Sequence, residues 1–418
     1  MVSLDSSYDC IVMGAGPAGS TVATLVAEAG IKTLLLERES MPRQHVGESL
    51  MPESYWIFER LGMLDRLKQG IYAKKVGVQF VNQTGRESAP FYFRSHDPHE
   101  SSDTWHVDRG DFDKLMFDNA AAKGATCRDQ TRVLDVLMEG DRATGVRIQS
   151  KDDTVREIQA RVVVDATGQQ SFLGSKLGLR RMNPQLRKAA IWGHFRGGKI
   201  DTQGGGVKTV ILQTTHNQCW FWYIPQIDNL ISIGVVSDND YLLRGRGSVE
   251  QVFREELANC PTLSDWLTDA SPADELRIVK EFSYSTDRSA GEGWVLVGDA
   301  WGFIDPIYSS GVYFALKSGE LAADSILAGF AANDLSANVL GRWIPDFNRQ
   351  TNLIRKLVHA FYSGEFRVGQ FVQEFPQHRG ELVELLIGRV FDGRPGNIFT
   401  DLEPWLQQRQ SSTLSAPA

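Results

Sequence analysis

The chain has 418 residues, 42% hydrophobic and 23% charged, with a formal net charge of −8. That length supports two or three packed subdomains around a large core, and the acidic balance excludes non-specific nucleic-acid binding. No apolar run reaches the ~18 residues of a membrane helix, and the N-terminus lacks the basic-then-apolar order of a secretory signal. A cytoplasmic protein with no nucleic-acid or membrane partner is therefore expected. Cys10, Cys127, Cys219 and Cys260 are scattered, and the eight histidines show no H-x-x-x-H spacing. That pattern fits reduced thiols and predicts no metal site.

Residues 8–13 read as a buried parallel strand. Gly14-Ala15-Gly16-Pro17-Ala18-Gly19 follows at once, then a helix over 20–29, Gly30, and a second strand over 31–36 closed by Glu37 and Arg38. This is G-x-G-x-x-G in the setting it requires: strand, turn, helix, strand, then an acid about 20 residues on. Gly14 makes the tight turn, Gly16 lets the backbone approach a pyrophosphate, and Gly19 lets the helix pack close to the sheet. The helix N-terminus meets the phosphate charge. Gly14, Gly16, Ala18 and Gly19 are thus candidate dinucleotide-binding residues, and Glu37, with Arg38 beside it, is placed to accept from a ribose hydroxyl.

Farther along, residues 76–93 alternate as strand, and 161–168 form another buried strand ending in a turn. Alternation recurs at 189–195, 207–214, 220–224 and 230–236. Within Trp220-Phe221-Trp222-Tyr223-Ile224-Pro225 the two indoles, two residues apart, share one strand face. Pro225 has no N–H and ends the ladder. Trp294 to Ala300 is a third buried strand carrying Gly298-Asp299 at its C-terminal end. Ligands of open α/β sheets sit beyond the carboxyl ends of strands, which places Asp299 on sugar or ribityl hydroxyls, with a helix N-cap as its alternative role. A helix is expected over 312–328. Residues 339–395 repeat large apolar side chains at helical spacing, among them Trp343, Phe347, Ile354 and Phe361. The polar residues 411–418 are expected to fray. No second glycine fingerprint with a preceding buried strand follows residue 19, so no separate NAD(P)H domain is visible.

The glycine loop, the 161–168 turn and Gly298-Asp299 together resemble the FAD-dependent monooxygenase superfamily. His106-Val107-Asp108-Arg109-Gly110-Asp111-Phe112-Asp113 is similar to that family's arginine segment before a long helix, which implies Arg109 near the flavin. Within the superfamily the chain resembles the flavin-dependent halogenases, on four features. They are Trp220-x-Trp222-x-Ile224-Pro225, Phe303-x-x-Pro306-x-x-Ser309-x-Gly311, the loop His45-Val46-Gly47-Glu48-Ser49-Leu50, and Lys74-Lys75 downstream of it.

The resemblance implies FAD, used as FADH2, with O2 and chloride or bromide. Reduced flavin and O2 would form a hydroperoxide, halide would attack its distal oxygen, and hypohalous acid would cross to a substrate held apart. Gly47, Glu48, Ser49, Arg109, Gly298, Asp299, Pro306 and Gly311 would surround the cofactor. The backbone N–H groups of Ser310 and Gly311 would bind halide, since a tight turn offers amides without a competing charge. Trp220 and Trp222 would shield the flavin. Lys75 would relay hypohalous acid, as an ammonium donor or a neutral amine. If the segment is a strand, Lys74 and Lys75 face opposite ways; motif position selects Lys75 and leaves Lys74 in solvent.

In the tryptophan-halogenating branch a Glu stands immediately before the Ser of the anion turn; this chain has Tyr308 there. It resembles instead the phenol and pyrrole branch, and Thr104 to Arg109 with the Lys-Lys pair look most like the pyrrole halogenases. The resemblance implies an electron-rich aromatic substrate, pyrrole or phenol, free or held on an acyl carrier protein, and a flavin reductase as partner. The alternative reading is an FAD-dependent aromatic hydroxylase. The expected fold is α/β: a Rossmann-type FAD-binding domain (1–75, 104–187 and 284–335), an interleaved β-sheet substrate domain (76–103 and 188–283) and a helical C-terminal lobe (336–418).

Overall fold

The computed structural model describes residues 4–216, 219–280, 282–393 and 396–415, the stretch 411–415 by its backbone alone. An eight-stranded sheet carries the nucleotide end. At its centre Ser7–Met13 lies between Thr33–Leu36 and Val155–Asp165, and Trp294–Leu296 flanks the last of these, all parallel. Thr33–Leu36, Trp294–Leu296 and the C-terminal halves of the other two strands are buried on both faces, which is why they read as short apolar runs without alternation.

The helix after the glycine loop spans Pro17–Glu28, three residues earlier than the expected start at 20. Proline suits a first helical position, because its fixed φ is helical and its missing N–H would be unpaired there anyway. The second strand begins at Thr33 instead of 31. The long helix Ser310–Ala332 packs against Pro17–Glu28. Small residues allow that approach: a Cβ on Gly319 would stand 2.6 Å from the Ala18 carbonyl oxygen.

A nine-stranded sheet forms the second layer, ordered Ser271–Pro272, Lys188–Arg196, Leu230–Asp238, Trp220–Pro225, Val207–Gln213, Ala73–Val81, Phe91–Tyr92. Arg277–Lys280 joins it beside Lys188–Arg196, and Thr104–His106 beside Ala73–Val81. Two of the expected domain limits differ from this arrangement. The limit at 75/76 cuts the strand Ala73–Val81, and 104–106, assigned to the cofactor domain, pairs Thr104 with Lys75 and Trp105 with Lys74 in the second sheet. Charged lysines mask the start of a strand whose ladder is fixed by a segment about thirty residues away.

The two faces of this sheet enter different cores. Trp220, Trp222 and Ile224 pack into the core shared with the nucleotide-binding sheet. Phe221 and Tyr223 face a second core, over which the helices Val249–Ala258 and Pro261–Trp266 lie, contributing Val252, Phe253 and Leu263.

The C-terminal lobe comprises the helices Ile344–Tyr362, Val368–Glu374, Arg379–Ile387 and Ile398–Ser415. The last runs through 411–415, where fraying was expected; residues 416–418 lie outside the described residues. Among the described residues no helix is long and apolar enough to cross a membrane, and no three His, Cys, Asp or Glu side chains gather as a metal site.

Candidate active site

A single long cleft runs from the glycine loop to the inner face of the nine-stranded sheet. At its nucleotide end Gly14 adopts φ +98, and a Cβ there would lie 2.3 Å from the Ala166 carbonyl oxygen. A Cβ on Gly19 would lie 1.9 Å from the Gly14 oxygen, so Gly19 closes the helix onto the loop without itself lining the cleft. Gly16 is different: a Cβ there would meet only Arg43 Nη2, at 3.7 Å, so this backbone faces open cleft. Ala18 lines the wall beside it.

Glu37 is buried and acts as a strut. Its Oε2 accepts from the Ala15 amide at 3.1 Å and its Oε1 from the Glu39 amide at 3.1 Å. Arg43 Nε pairs with Glu37 at 3.3 Å, and Arg43 Nη1 with Asp113 at 2.8 Å. Arg38 sits exposed at the rim and donates to Gln170 at 3.0 Å.

Midway along the cleft, Asp299 follows the end of the parallel strand Trp294–Leu296. Burial raises its carboxyl to about 7, with Arg109 pulling the other way. Gly298, at φ +58, packs against Ala18 and brings Asp299 close to the first helix. Arg109 is buried, forks onto Asp113 at 2.9 and 3.0 Å, and donates through Nη1 to the Val46 carbonyl at 2.6 Å. It lines the cleft as the anchor of the loop that carries Gly47, Glu48 and Ser49.

Glu48 Oε1 bonds His194 Nε2 at 3.1 Å, while the buried Oε2 has no partner among the described residues. His194 bonds Asp274 through Nδ1 at 2.8 Å. Burial opposes a charge on this imidazole, but the hydrogen bonds to Glu48 and Asp274 raise it to about 9.

These features test the fit of FAD. Gly16 presents open backbone to a pyrophosphate. The Asp299 carboxyl, which lines the cleft, has no hydrogen-bond partner among the described residues, and neither does the buried Glu48 Oε2. Cleft acceptors without donors call for a ligand rich in O–H and N–H groups. A dinucleotide with a ribityl chain and a ring imide is such a ligand, so the residues present fit the group.

At the far end Trp222 lines the cleft. Its cross-strand partner is Gly234, and a Cβ there would stand 2.3 Å from the indole, so the glycine makes room for the ring. Its Nε1 donates to Ser232 Oγ at 3.1 Å. Trp220 does not line the cleft. It stands behind Trp222, ring centroids 6.3 Å apart, and donates to the Tyr362 hydroxyl at 3.0 Å. That hydroxyl in turn donates to Asp305, whose carboxyl burial raises to about 7.

Phe303, Pro306, Ser309 and Gly311 also line the cleft. Ser309 takes a left-handed φ of +57 that turns the chain into the helix starting at Ser310. A Cβ on Gly311 would touch the Phe303 ring at 3.0 Å. Ser310 is buried and only its neighbours on either side line the cleft. Tyr308 points into the C-terminal lobe, its hydroxyl 3.4 Å from the Leu357 carbonyl.

The two lysines part as strand geometry demands. Lys74 is 48% exposed and pairs with Asp103 at 2.7 Å. Lys75 is 3% exposed, donates to Ser49 Oγ and to the Leu50 carbonyl, both at 2.9 Å, and lies over the Phe93 ring. Burial lowers its pKa to about 7. Ser49 and Thr209 line the cleft, so Lys75 stands one side chain behind its wall.

Arg43, His106, His194 and Thr209 belong to this site and were not among the expected site residues. Thr209 left a faint signal, as a small polar side chain at the head of the apolar run 210–212. Arg43 and His194 left none: Asp113, which shares Arg43 with nearby Glu37, and Glu48 and Asp274, which hold His194, come from segments 70 or more positions away.

Residues 7–318 match the sequence family described as FAD binding domain. The 1H-pyrrole-2-carbonyl-(peptidyl-carrier protein) chlorinase of Pseudomonas fluorescens is 30% identical, over 93% of this chain and 91% of its own. The chain belongs to the flavin-dependent halogenases. The tryptophan 2-halogenase of Chondromyces crocatus is 32% identical to the halogenase over 78% of this chain and 62% of its own. The solved structure of a flavin-dependent brominase matches with a TM-score of 0.87 and 26% identity, covering 97% of the halogenase and all of that chain. The halogenase is thus an oxidoreductase that uses FAD, O2 and halide to halogenate an aromatic ring.

Proposed function

We propose that this halogenase places chlorine or bromine on a pyrrole-type ring delivered as a carrier-protein thioester, with Lys75 relaying hypohalous acid and a separate reductase supplying FADH2. The observation that carries the reading is the buried Lys75, set behind the cleft wall formed by Ser49 and Thr209. Reduced FAD with O2, when bound, supplies the oxidising power that converts halide into hypohalous acid. The chain's own residues do the rest. Trp222 and the Phe303 to Gly311 wall close the cleft against a substrate ring. Backbone amides of the turn at Ser310 and Gly311 offer the halide an anion site free of competing side-chain charge.

With its pKa near 7, Lys75 reaches both protonation states at neutral pH. As an ammonium it donates to the hypohalous oxygen. As an amine it attacks the halogen, giving an N–halogen bond while its own proton joins the departing hydroxide as water. Tyr308 offers no carboxylate beside the turn, so activation must come from the ring's own N–H or O–H. The pyrrole-carbonyl chlorinase and the pyrrole-carbonyl brominase of Pseudoalteromonas luteoviolacea, 29% identical over 92% of the chain, both take carrier-bound substrates by name. A second reading has support too: the 2-position of tryptophan is itself the α-carbon of a pyrrole ring, and a tryptophan 2-halogenase is among the relatives.

The test offers pyrrole-2-carboxylate free, the same acid as a carrier thioester, and tryptophan, each with reductase and halide, and reads halogen isotope patterns by mass spectrometry. The thioester should be halogenated first. Turnover of the free acid alone would end the tethering reading, and faster turnover of tryptophan would favour the second.

A further inference from the structure

Four buried side chains form one continuous line from the lysine to the back of the tryptophan strand. Lys75 Nζ lies 2.9 Å from Ser49 Oγ, Ser49 Oγ 2.8 Å from Thr209 Oγ1, and Thr209 Oγ1 2.8 Å from His106 Nε2. His106 Nδ1 lies 2.6 Å from the Pro225 carbonyl oxygen. All four are at most 4% exposed.

Distances leave the donors open, but the chemistry of the two ends does not. A carbonyl oxygen only accepts, so His106 Nδ1 carries a hydrogen. Burial, with Lys75 nearby, lowers the His106 pKa to about 3, so the ring is neutral and Nε2 is a bare acceptor. Thr209 must then donate to Nε2. Its oxygen accepts from Ser49, which leaves Ser49 Oγ only lone pairs to turn toward Lys75. The Leu50 carbonyl, the other partner of Nζ, is also an acceptor. Among the described residues no carboxylate pairs with Lys75, and its charge adds to burial in lowering the His106 pKa. Backbone bonds hold the line in register: Leu50 N to Trp105 O at 3.1 Å and Val107 N to Glu48 O at 2.8 Å strap the Ser49 loop to the His106 strand.

We propose that His106 is a positioning residue that, through Thr209 and Ser49, fixes the direction of every hydrogen bond reaching Lys75, so that Nζ meets acceptors on both bonded sides and keeps its remaining valence for hypohalous acid. This rests on the reading of Lys75 as the relay. A neutral amine has two hydrogens and one lone pair. With both hydrogens committed to Ser49 and Leu50, the lone pair is free; in the ammonium that same position carries the third hydrogen. If the line is cut, the Ser49 hydroxyl hydrogen can swing onto the lone pair and cap it. The cap favours the neutral amine while blocking its attack.

Two readouts test this. The first is the titration of Lys75 followed by NMR of 13C-lysine-labelled protein without cofactor; the second is the pH profile of halogenation by the loaded enzyme. Thr209→Val cuts the line in the middle. His106→Phe cuts it at the far end, where the removed ring never touches Lys75 and would be neutral at pH 7. Each is expected to lower the titration midpoint by about one pH unit, the tenfold effect of one hydrogen bond, and to lower halogenation at least tenfold. Thr209→Ser keeps the hydroxyl and should restore both values.

If the midpoint stays at the wild-type value in His106→Phe and Thr209→Val, and both proteins are folded by circular dichroism, the proposal is overturned. A Thr209→Ser that behaves like Thr209→Val overturns it as well. Failure of the relay reading looks different: Lys75→Ala would then still halogenate, while the Lys75 midpoint would still respond to His106→Phe.

Discussion

At the nucleotide end of the cleft, Gly14, Gly16, Gly19 and Glu37 belong to one strand–helix–strand unit and work through backbone and close approach. At the reaction end, Ser49, Lys75, Thr209 and Trp222 come from one loop and three strands, and work through side chains. The first end is a local device, fixed by dihedral angles and the absence of Cβ atoms. The second depends on register, because side chains alternate along a strand and a slip of one residue would exchange Lys75 for Lys74 and Trp222 for Phe221. Each end should therefore fail in its own way, and separately.

The sharpest separation comes from Lys75→Met. Halogenation should fall by about 10²- to 10⁴-fold, the range typical of a lost proton-transfer group, while FAD affinity, read by fluorescence quenching, stays at the wild-type value. Loss of FAD binding in this variant would merge the two ends. Gly19→Ala is its counterpart at the nucleotide end. The new Cβ would sit 1.9 Å from the Gly14 oxygen, with an overpacking cost of about 1–3 kcal/mol. FAD binding should drop and the melting temperature with it, both measurable on the same sample.

Gly234→Ala probes the reaction end without touching a polar group. Its Cβ would press 2.3 Å from the Trp222 ring and tilt the indole. FAD should still bind, while halogenation per FADH2 consumed falls and peroxide rises, as a peroxide assay would report. Unchanged coupling would mean that the position of Trp222 does not matter to the partition.

The buried lysine also leaves a mark on stability. Its pKa is about 7 in the fold against an ordinary value of 10.5. Between those limits the unfolded chain binds a proton that the folded chain does not, so this group makes stability rise with pH across the window. Lys75→Met should flatten that rise in urea midpoints taken at pH 7 and pH 10. The smallest effect is expected of Lys74→Ala, which removes the half-exposed Lys74 from Asp103 but leaves Arg94 paired with that carboxylate at 2.8 Å; it should cost ~1 kcal/mol or less and leave halogenation unchanged.

Much of the nucleotide end was legible from residues alone. Gly14, Gly16 and Gly19 each have a distinct steric reason in the structure, and Asp299 lies beyond a strand end in the cleft as expected. Glu37 was legible as to place but not as to partners: the amides of Ala15 and Glu39 and the Arg43 guanidinium already hold it. At the reaction end the alternation separated Lys75 from Lys74 and put Trp220 and Trp222 on one face. It did not reveal that only Trp222 reaches the cleft, since Trp220 is drawn back by Tyr362 from a helix 142 positions away.

The sequence by itself determined the strand–loop–helix unit that cradles a dinucleotide, the period-two faces of the tryptophan strand and the family to which these motifs belong. Those features are local: neighbouring residues dictate them through dihedral preferences, small side chains and strand periodicity. Only the tertiary structure decided which residues stand around Lys75, that Glu48 leans on His194, and that Ser49, Thr209 and His106 line up behind the lysine within hydrogen-bonding distance of one another. Such contacts join segments far apart in the chain, and their existence depends on how two sheets and the C-terminal helices pack, which no window of sequence encodes.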